Sequence, residues 1–183
     1  MSTHVFTCGI SLLKNALKDC EEVRSLVGSS ESFLEIEKKI SSLDERRKDK
    51  LIALLVSYAA RNPRKASAEL NAFLGYIERH GNLPEVGRVC LLSTDMSSGL
   101  VCSRALMLYL ERLLGIGKVD YRVVPGFGSW DFSTAIENLK RELRSIISSG
   151  RDIVLNLTGG FKPEVAVMSV VAAESGLKAY YIH

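Results

Sequence analysis

Two short stretches of this sequence carry residue types that could hold an anion. The first is Thr7-Cys8-Gly9-Ile10-Ser11-Leu12-Leu13. Gly9 permits a tight turn out of a strand. Ser11 then stands where a helix begins, beside unpaired N–H groups and the positive end of the helix dipole. Spacing alone leaves two readings of Ser11, an anion contact or a plain helix cap. The second stretch is Asn156-Leu157-Thr158-Gly159-Gly160-Phe161-Lys162-Pro163-Glu164. Its two glycines let backbone come close to a ligand, and Pro163 biases Lys162 away from the helical region, so the loop should end at Lys162 and a helix begin at Pro163. An ammonium there sits at the unfavourable pole of the helix dipole, a conflict that a bound anion would resolve; a solvated loop-edge lysine is the plainer alternative. Neither stretch is a Walker A loop or a GxGxxG dinucleotide fingerprint.

Two other loops offer less. Ser93-Thr94-Asp95-Met96-Ser97-Ser98-Gly99 supplies hydroxyls and a carboxylate for a ribose or base, unless Asp95 or Ser97 only caps the next helix. Pro125-Gly126-Phe127-Gly128-Ser129-Trp130 could give a base an aromatic lid, or Phe127 and Trp130 could simply pack. His4, His80 and His183 fall outside these loops, and the sequence shows no Ser-His-Asp order, paired carboxylates or metal-ligand cluster. Chemistry here would therefore rest on positioning and electrostatic stabilisation, with no cofactor and no metal.

The elements that must place these loops read as an α/β pattern. Strands are predicted at His4–Cys8, Gly87–Ser93, Val119–Val124, Asp152–Leu157 and Lys178–Ile182, and several are continuous apolar runs, as buried parallel strands should be. Helices at about Ser98–Leu114, Phe132–Ser148 and Pro163–Ser175 join the later strands. Between the first two strands the periodicity predicts four helices: Leu12 to about Leu26 ending at Gly28, Ser32–Ile40, Asp44–Ala60, and one opening at Asn62-Pro63 and stopping at Gly81. The fold class is thus a Rossmann-like, doubly wound, mainly parallel sheet in one domain, residues 1–183, with a helical insertion at about 29–85. In the common order 3-2-1-4-5, the first and fourth strands flank the point where strand order reverses, and the two anion-suited loops follow those two strands.

The bulk numbers agree. Hydrophobic residues make up 46% and charged residues 25%, a profile that excludes a disordered chain. A net charge of +3 is too small for a duplex-DNA binder but suits a small polyanion held in one cleft. Cys8, Cys20, Cys90 and Cys102 form no CxxC pair and read as buried thiols. Nothing resembles a signal peptide or a membrane span, so the expected place is the cytoplasm.

Gly9-Ile10-Ser11-Leu12-Leu13 with Asn15, Leu91-Leu92-Ser93-Thr94-Asp95, the stretch from Asn156 to Glu164, and the closing Tyr180-Tyr181-Ile182-His183 together resemble the CARF (CRISPR-associated Rossmann fold) family. The Thr-Gly-Gly-Phe-Lys-Pro-Glu run is the most specific part. Ile10 departs from the threonine often found there, so any role of a hydroxyl at that position is lost. The resemblance implies a homodimer that binds cyclic oligoadenylate, with cyclic tetra-adenylate as the leading ligand, in type III CRISPR antiviral defence. In its ring-nuclease branch the first-loop serine and the lysine of the second loop are active. They carry over to Ser11 and Lys162, with Gly9, Ile10, Asn15, Thr94, Asp95, Thr158, Gly159, Gly160 and Phe161 as ligand contacts. Cleavage would need no metal: a ribose 2′-hydroxyl attacks the adjacent 3′ phosphate and leaves a 2′,3′-cyclic phosphate, switching the signal off. The alternatives are a non-cleaving sensor controlling a partner or effector domain, and an unrelated Rossmann enzyme using a mononucleotide. The absence of an Arg-x4–6-His element speaks against an RNase activity of its own.

Overall fold

Alternating apolar runs and amphipathic helices fold into five parallel strands covered on both faces. The computed structural model describes residues 1–29, 32–81, 83–128, 131–160 and 162–182. The strands are β1 (Ser2–Cys8), β2 (Val86–Thr94), β3 (Val119–Val124), β4 (Ile153–Asn156) and β5 (Lys178–Tyr180). They lie in the order β3-β2-β1-β4-β5, every neighbouring pair parallel, which is a Rossmann-like arrangement. β1 and β4 are central, in the register Thr3↔Ile153 to Phe6↔Asn156, so the loops after Cys8 and Asn156 emerge side by side.

Period-two alternation decides which core each strand residue enters. Phe6, Cys8, Val89 and Leu91 face a core built with the helices that follow β1 and β2. Val5, Cys90, Leu92 and Leu155 face the opposite core, against α8 (Phe132–Ser149) and α9 (Lys162–Glu174). The first face carries α1 (Ser11–Asp19), α2 (Glu21–Val27), α3 (Phe33–Ser41), α4 (Glu45–Arg61), α5 (Pro63–Ala66), α6 (Ala68–His80) and, after β2, α7 (Ser97–Arg112). Asp44 caps α4 by accepting from the Arg47 N–H, and Arg46, Arg47 and Lys50 are exposed on it. No helix among the described residues is long and apolar enough to cross a membrane.

Two of the predicted helices are each broken in two. The expected run from Leu12 to Leu26 divides at Cys20, whose backbone is extended (φ −123°, ψ 114°). Cys20 is buried there, and Glu21 and Glu22 open α2 at the dipole end that favours acids. The expected helix from Asn62-Pro63 to Gly81 stops at Ser67 (φ −150°, ψ 156°). The Ser67 hydroxyl accepts from the Leu70 N–H and starts α6 afresh. This second break matters for the site, because it moves Glu69 from the interior of a long helix into the first turn of a new one.

Candidate functional site

The turn after β1 and the turn after β4 meet. A Cβ added to Gly9 would lie 3.5 Å from the Gly160 backbone. Between them opens a hollow of about 250 Å³, lined by Gly9, Ile10, Ser11, Lys14, Ala68, Glu69, Thr158, Gly159 and Gly160. It sits outside the carboxyl ends of the two central strands, where the strand order reverses. The N-termini of α1 and α6 both border it.

Glu69 organises this hollow, and sequence reasoning missed it. Its side chain is almost fully buried. One carboxylate oxygen, Oε1, accepts from the Gly9 N–H at 2.9 Å, and the other, Oε2, accepts from the Ser11 hydroxyl at 2.7 Å. The Ser11 oxygen in turn accepts from the Ala68 N–H at 3.2 Å. Such a buried charge is tolerable because a helix start and a charge-assisted hydroxyl compensate it. A signal was present: Ala66, Glu69, Leu70 and Phe73 fall at i, i+3, i+4, i+7, so a carboxylate lies on the apolar stripe.

The glycines of the second turn are there for close approach. A side chain at Gly159 would collide with the Glu69 carboxylate, and one at Gly160 with Thr7 and Glu164. Gly160 also has φ +92°, a conformation that L residues rarely adopt. Polar bonds lock the turn in place. The Thr7 hydroxyl donates to the Gly159 carbonyl at 2.7 Å. The Asn156 amide donates to the Glu69 carbonyl, and its oxygen accepts from the Thr158 N–H. The Thr158 hydroxyl accepts from the Ile182 N–H, tying in the chain after β5.

The remaining candidates are distributed as follows. Gly9, Ile10, Ser11, Thr158, Gly159 and Gly160 line the hollow. The cap position of α1 belongs to Ile10, not Ser11, which is the helix's first residue. Lys162 is exposed as the first residue of α9, one position earlier than the helix start expected at Pro163. It has no ion-pair partner among the described residues and does not line the hollow. Lys14, one turn into α1 and not anticipated, does line it. Asn15 points elsewhere: its amide donates to the Lys65 and Ala66 carbonyls, satisfying the exposed end of α5. Asp95 lines a second hollow, of about 530 Å³, with Glu37, Ser97 and Gly128, while Thr94, the last residue of β2, is buried and does not line it. There Asp95 accepts from the Gly126 and Gly128 N–H groups, and the buried Thr94 hydroxyl has no hydrogen-bond partner among the described residues. Phe127 is buried in the core and edge-on to Phe132, so it is not a lid. Phe161, Trp130 and His183 lie outside the described residues.

Thiol chemistry is shut off at the site. Burial pushes the Cys8 thiol well up, and the charge of Glu69 adds to the effect. Cys102 is pushed up to about 12 by burial. A thiol of that kind stays protonated and inert near neutral pH. What remains at the hollow is a serine hydroxyl hydrogen-bonded to a buried carboxylate, backbone N–H groups, and Lys14.

The fold and the site define a class, the parallel α/β domain with a ligand crevice at its topological switch point. Residues 64–183 match the family of the CRISPR-associated protein Cas_APE2256, and the chain belongs to that family. The matched part spans α6 with Glu69, the loop after β4 and α9. Comparison with curated proteins finds no match.

Proposed function

We propose that this protein binds a cyclic oligoadenylate, cyclic tetra-adenylate first among them, across a homodimer, and opens the ring without metal. The observation that carries this reading is the hollow where both glycine turns converge at the switch point, in a chain of a CRISPR-associated family. The resemblance to CARF proteins supplies the ligand class. At about 250 Å³ the hollow suits a nucleotide fragment rather than a whole ring, since pockets for drug-sized ligands run from about 300 to 1,000 Å³. A two-fold dimer presents the hollow twice, which matches the rotational symmetry of a tetra-adenylate ring. Phosphates then lie toward Lys14 and Lys162, and ribose hydroxyls toward Ser11 and Glu69. The enzyme holds one ribose so that its 2′-oxygen is in line with the adjacent phosphate, and Lys162 offsets the charge that develops on the phosphoryl oxygens.

The test is a single-turnover incubation of labelled cyclic tetra-adenylate with excess protein and a chelator. Linear products ending in a 2′,3′-cyclic phosphate are expected, and Lys162→Ala should slow their formation by about a hundred- to a thousand-fold. Failure to bind any cyclic oligoadenylate ring would overturn the reading. A non-cleaving sensor is the second reading. It is favoured by the placement of Lys162 outside the hollow's lining. Tight binding with the ring intact selects it.

A further inference from the structure

Ser11 and Glu69 form a hydrogen-bonded pair whose atoms are arranged for moving a proton. The Ser11 oxygen has one proton and two lone pairs. The proton goes to Glu69 Oε2 at 2.7 Å, and one lone pair takes the Ala68 N–H at 3.2 Å. One lone pair of Ser11, on the wall of the hollow, is left for a ligand donor. Glu69 itself is almost fully buried, so a ligand reaches its charge through Ser11. The surrounding charged and titratable groups come from four elements: Lys14 on α1, Cys8 on β1, Cys102 on α7 and Glu164 on α9. Both thiols are held protonated, Glu164 lies beyond Gly160, and no histidine among the described residues lines the hollow.

We infer that Glu69 is the proton acceptor of ring cleavage, acting through Ser11 as a relay; this rests on the ring-nuclease reading above. The 2′-hydroxyl of the bound ribose donates to Ser11. As its oxygen attacks phosphorus, the 2′-proton passes to the Ser11 oxygen and the Ser11 proton passes to Glu69 Oε2. The new 2′-O–P bond forms as the P–O5′ bond breaks. The departing 5′-oxygen takes a proton from solvent at the open side of the hollow, and Glu69 later returns its proton to solvent. Ser11 is then the catalytic residue that touches substrate, and Glu69 the positioning residue that acts through it. The pair explains why a carboxylate is buried at an anion site: it serves the sugar hydroxyl, while the lysines serve the phosphate.

The test compares the full chain with Glu69→Gln and Ser11→Ala, using labelled cyclic tetra-adenylate. Glutamine keeps the shape and the acceptor for the Gly9 N–H but cannot take a proton. Ring binding by Glu69→Gln is expected to stay near the wild-type level while single-turnover cleavage falls about a hundred- to ten-thousand-fold, the usual range for a general base. Ser11→Ala should lose a similar factor, and the double variant little more than either, because the two act as one unit. In mixtures of light and heavy water, the wild-type rate should show two protons in flight. Should Glu69→Gln fail to fold, Ser11→Ala and the water-mixture experiment carry the test. Wild-type cleavage with folded variants that retain their rate, or with a single-proton response, overturns the relay and leaves the ring-nuclease reading standing. A wild-type protein that binds the ring without cleaving it, or does not bind it, removes both.

Discussion

The crevice between β1 and β4 and the crevice over β2 and β3 invite comparison, because each places a carboxylate from the inserted helices at the start of another helix. In the second, Glu37 of α3 accepts from the Ser97 N–H at 2.6 Å and the Ser98 N–H at 3.0 Å, closing the N-terminus of α7. Its two short bonds end on backbone N–H groups, whose protons do not transfer; the Ser41 hydroxyl comes only within 3.4 Å of Oε1 and has nearer acceptors in the Glu37 carbonyl, at 2.8 Å, and the Ser97 oxygen, at 3.0 Å. In the first, Glu69 divides its oxygens between one N–H and the hydroxyl of Ser11. A hydroxyl can pass a proton on, and its remaining lone pair can meet a ligand. The same device, an internal anion at a helix start, is a cap in one place and potential chemistry in the other. What distinguishes them is a short hydroxyl bond, 2.7 Å from Ser11 to Glu69 against 3.4 Å from Ser41 to Glu37.

That contrast can be broken most directly by exchanging the two carboxylates for amides. Glu69→Gln should lower ring cleavage by at least about a hundred-fold, whereas Glu37→Gln should leave it at the wild-type rate, both read as single-turnover rates. Equal effects would mean that both carboxylates only brace the fold.

A pH comparison has to allow for His4, in the first half of the central strand β1. Its ring is buried against Phe73, Tyr76 and Tyr180, and its Nδ1 has no hydrogen-bond partner among the described residues. Burial lowers its pKa to about 4, against a weaker upward pull from Asp152. The unfolded chain therefore binds the proton first as the pH falls. Stability is full above about pH 6.5 and is lost progressively between about pH 6.5 and 4, on the order of 3 kcal/mol in total. Urea unfolding at pH 7 and pH 5 should show this loss, and His4→Phe should flatten it.

Gly159→Ala would push a methyl group into Glu69 and should cost about 1–3 kcal/mol by overpacking, together with ring binding. An unchanged denaturation midpoint would mean that the carboxylate can move aside freely, which would also weaken its assignment as a fixed acceptor. The smallest effect belongs to the other crevice. Glu37→Ala removes the cap on α7 and should lower stability by about 1 kcal/mol, measured by the same unfolding experiment.

The sheet was legible in the sequence because the evidence for it is local. Apolar runs such as Val89-Cys90-Leu91-Leu92 fit buried strands at that length, and alternation with helices implies parallel crossovers. The convergence of the Gly9 and Gly159 turns also followed, since it depends on strand order alone. The helix breaks at Cys20 and Ser67 did not follow, because periodicity continues through them and tertiary packing chose the break. Asn15 was expected at the ligand through the family resemblance and Asp95 also through its residue type; in the fold the Asn15 amide donates to carbonyls of α5 and Asp95 accepts from N–H groups of the loop after β3. Local sequence cannot tell which backbone groups a distant element will leave unpaired.

By itself, then, the sequence determined the elements, their alternation and the two turns suited to an anion, because each depends on a few adjacent residues and their periodicity. The tertiary structure alone decided what meets those turns. Glu69 lies 58 residues from Ser11 and 60 from Gly9, and it reaches both only because α6 begins anew at Ser67 beside the central strands. A hydrogen bond across that separation is set by packing and burial, and no spacing rule along the chain encodes it.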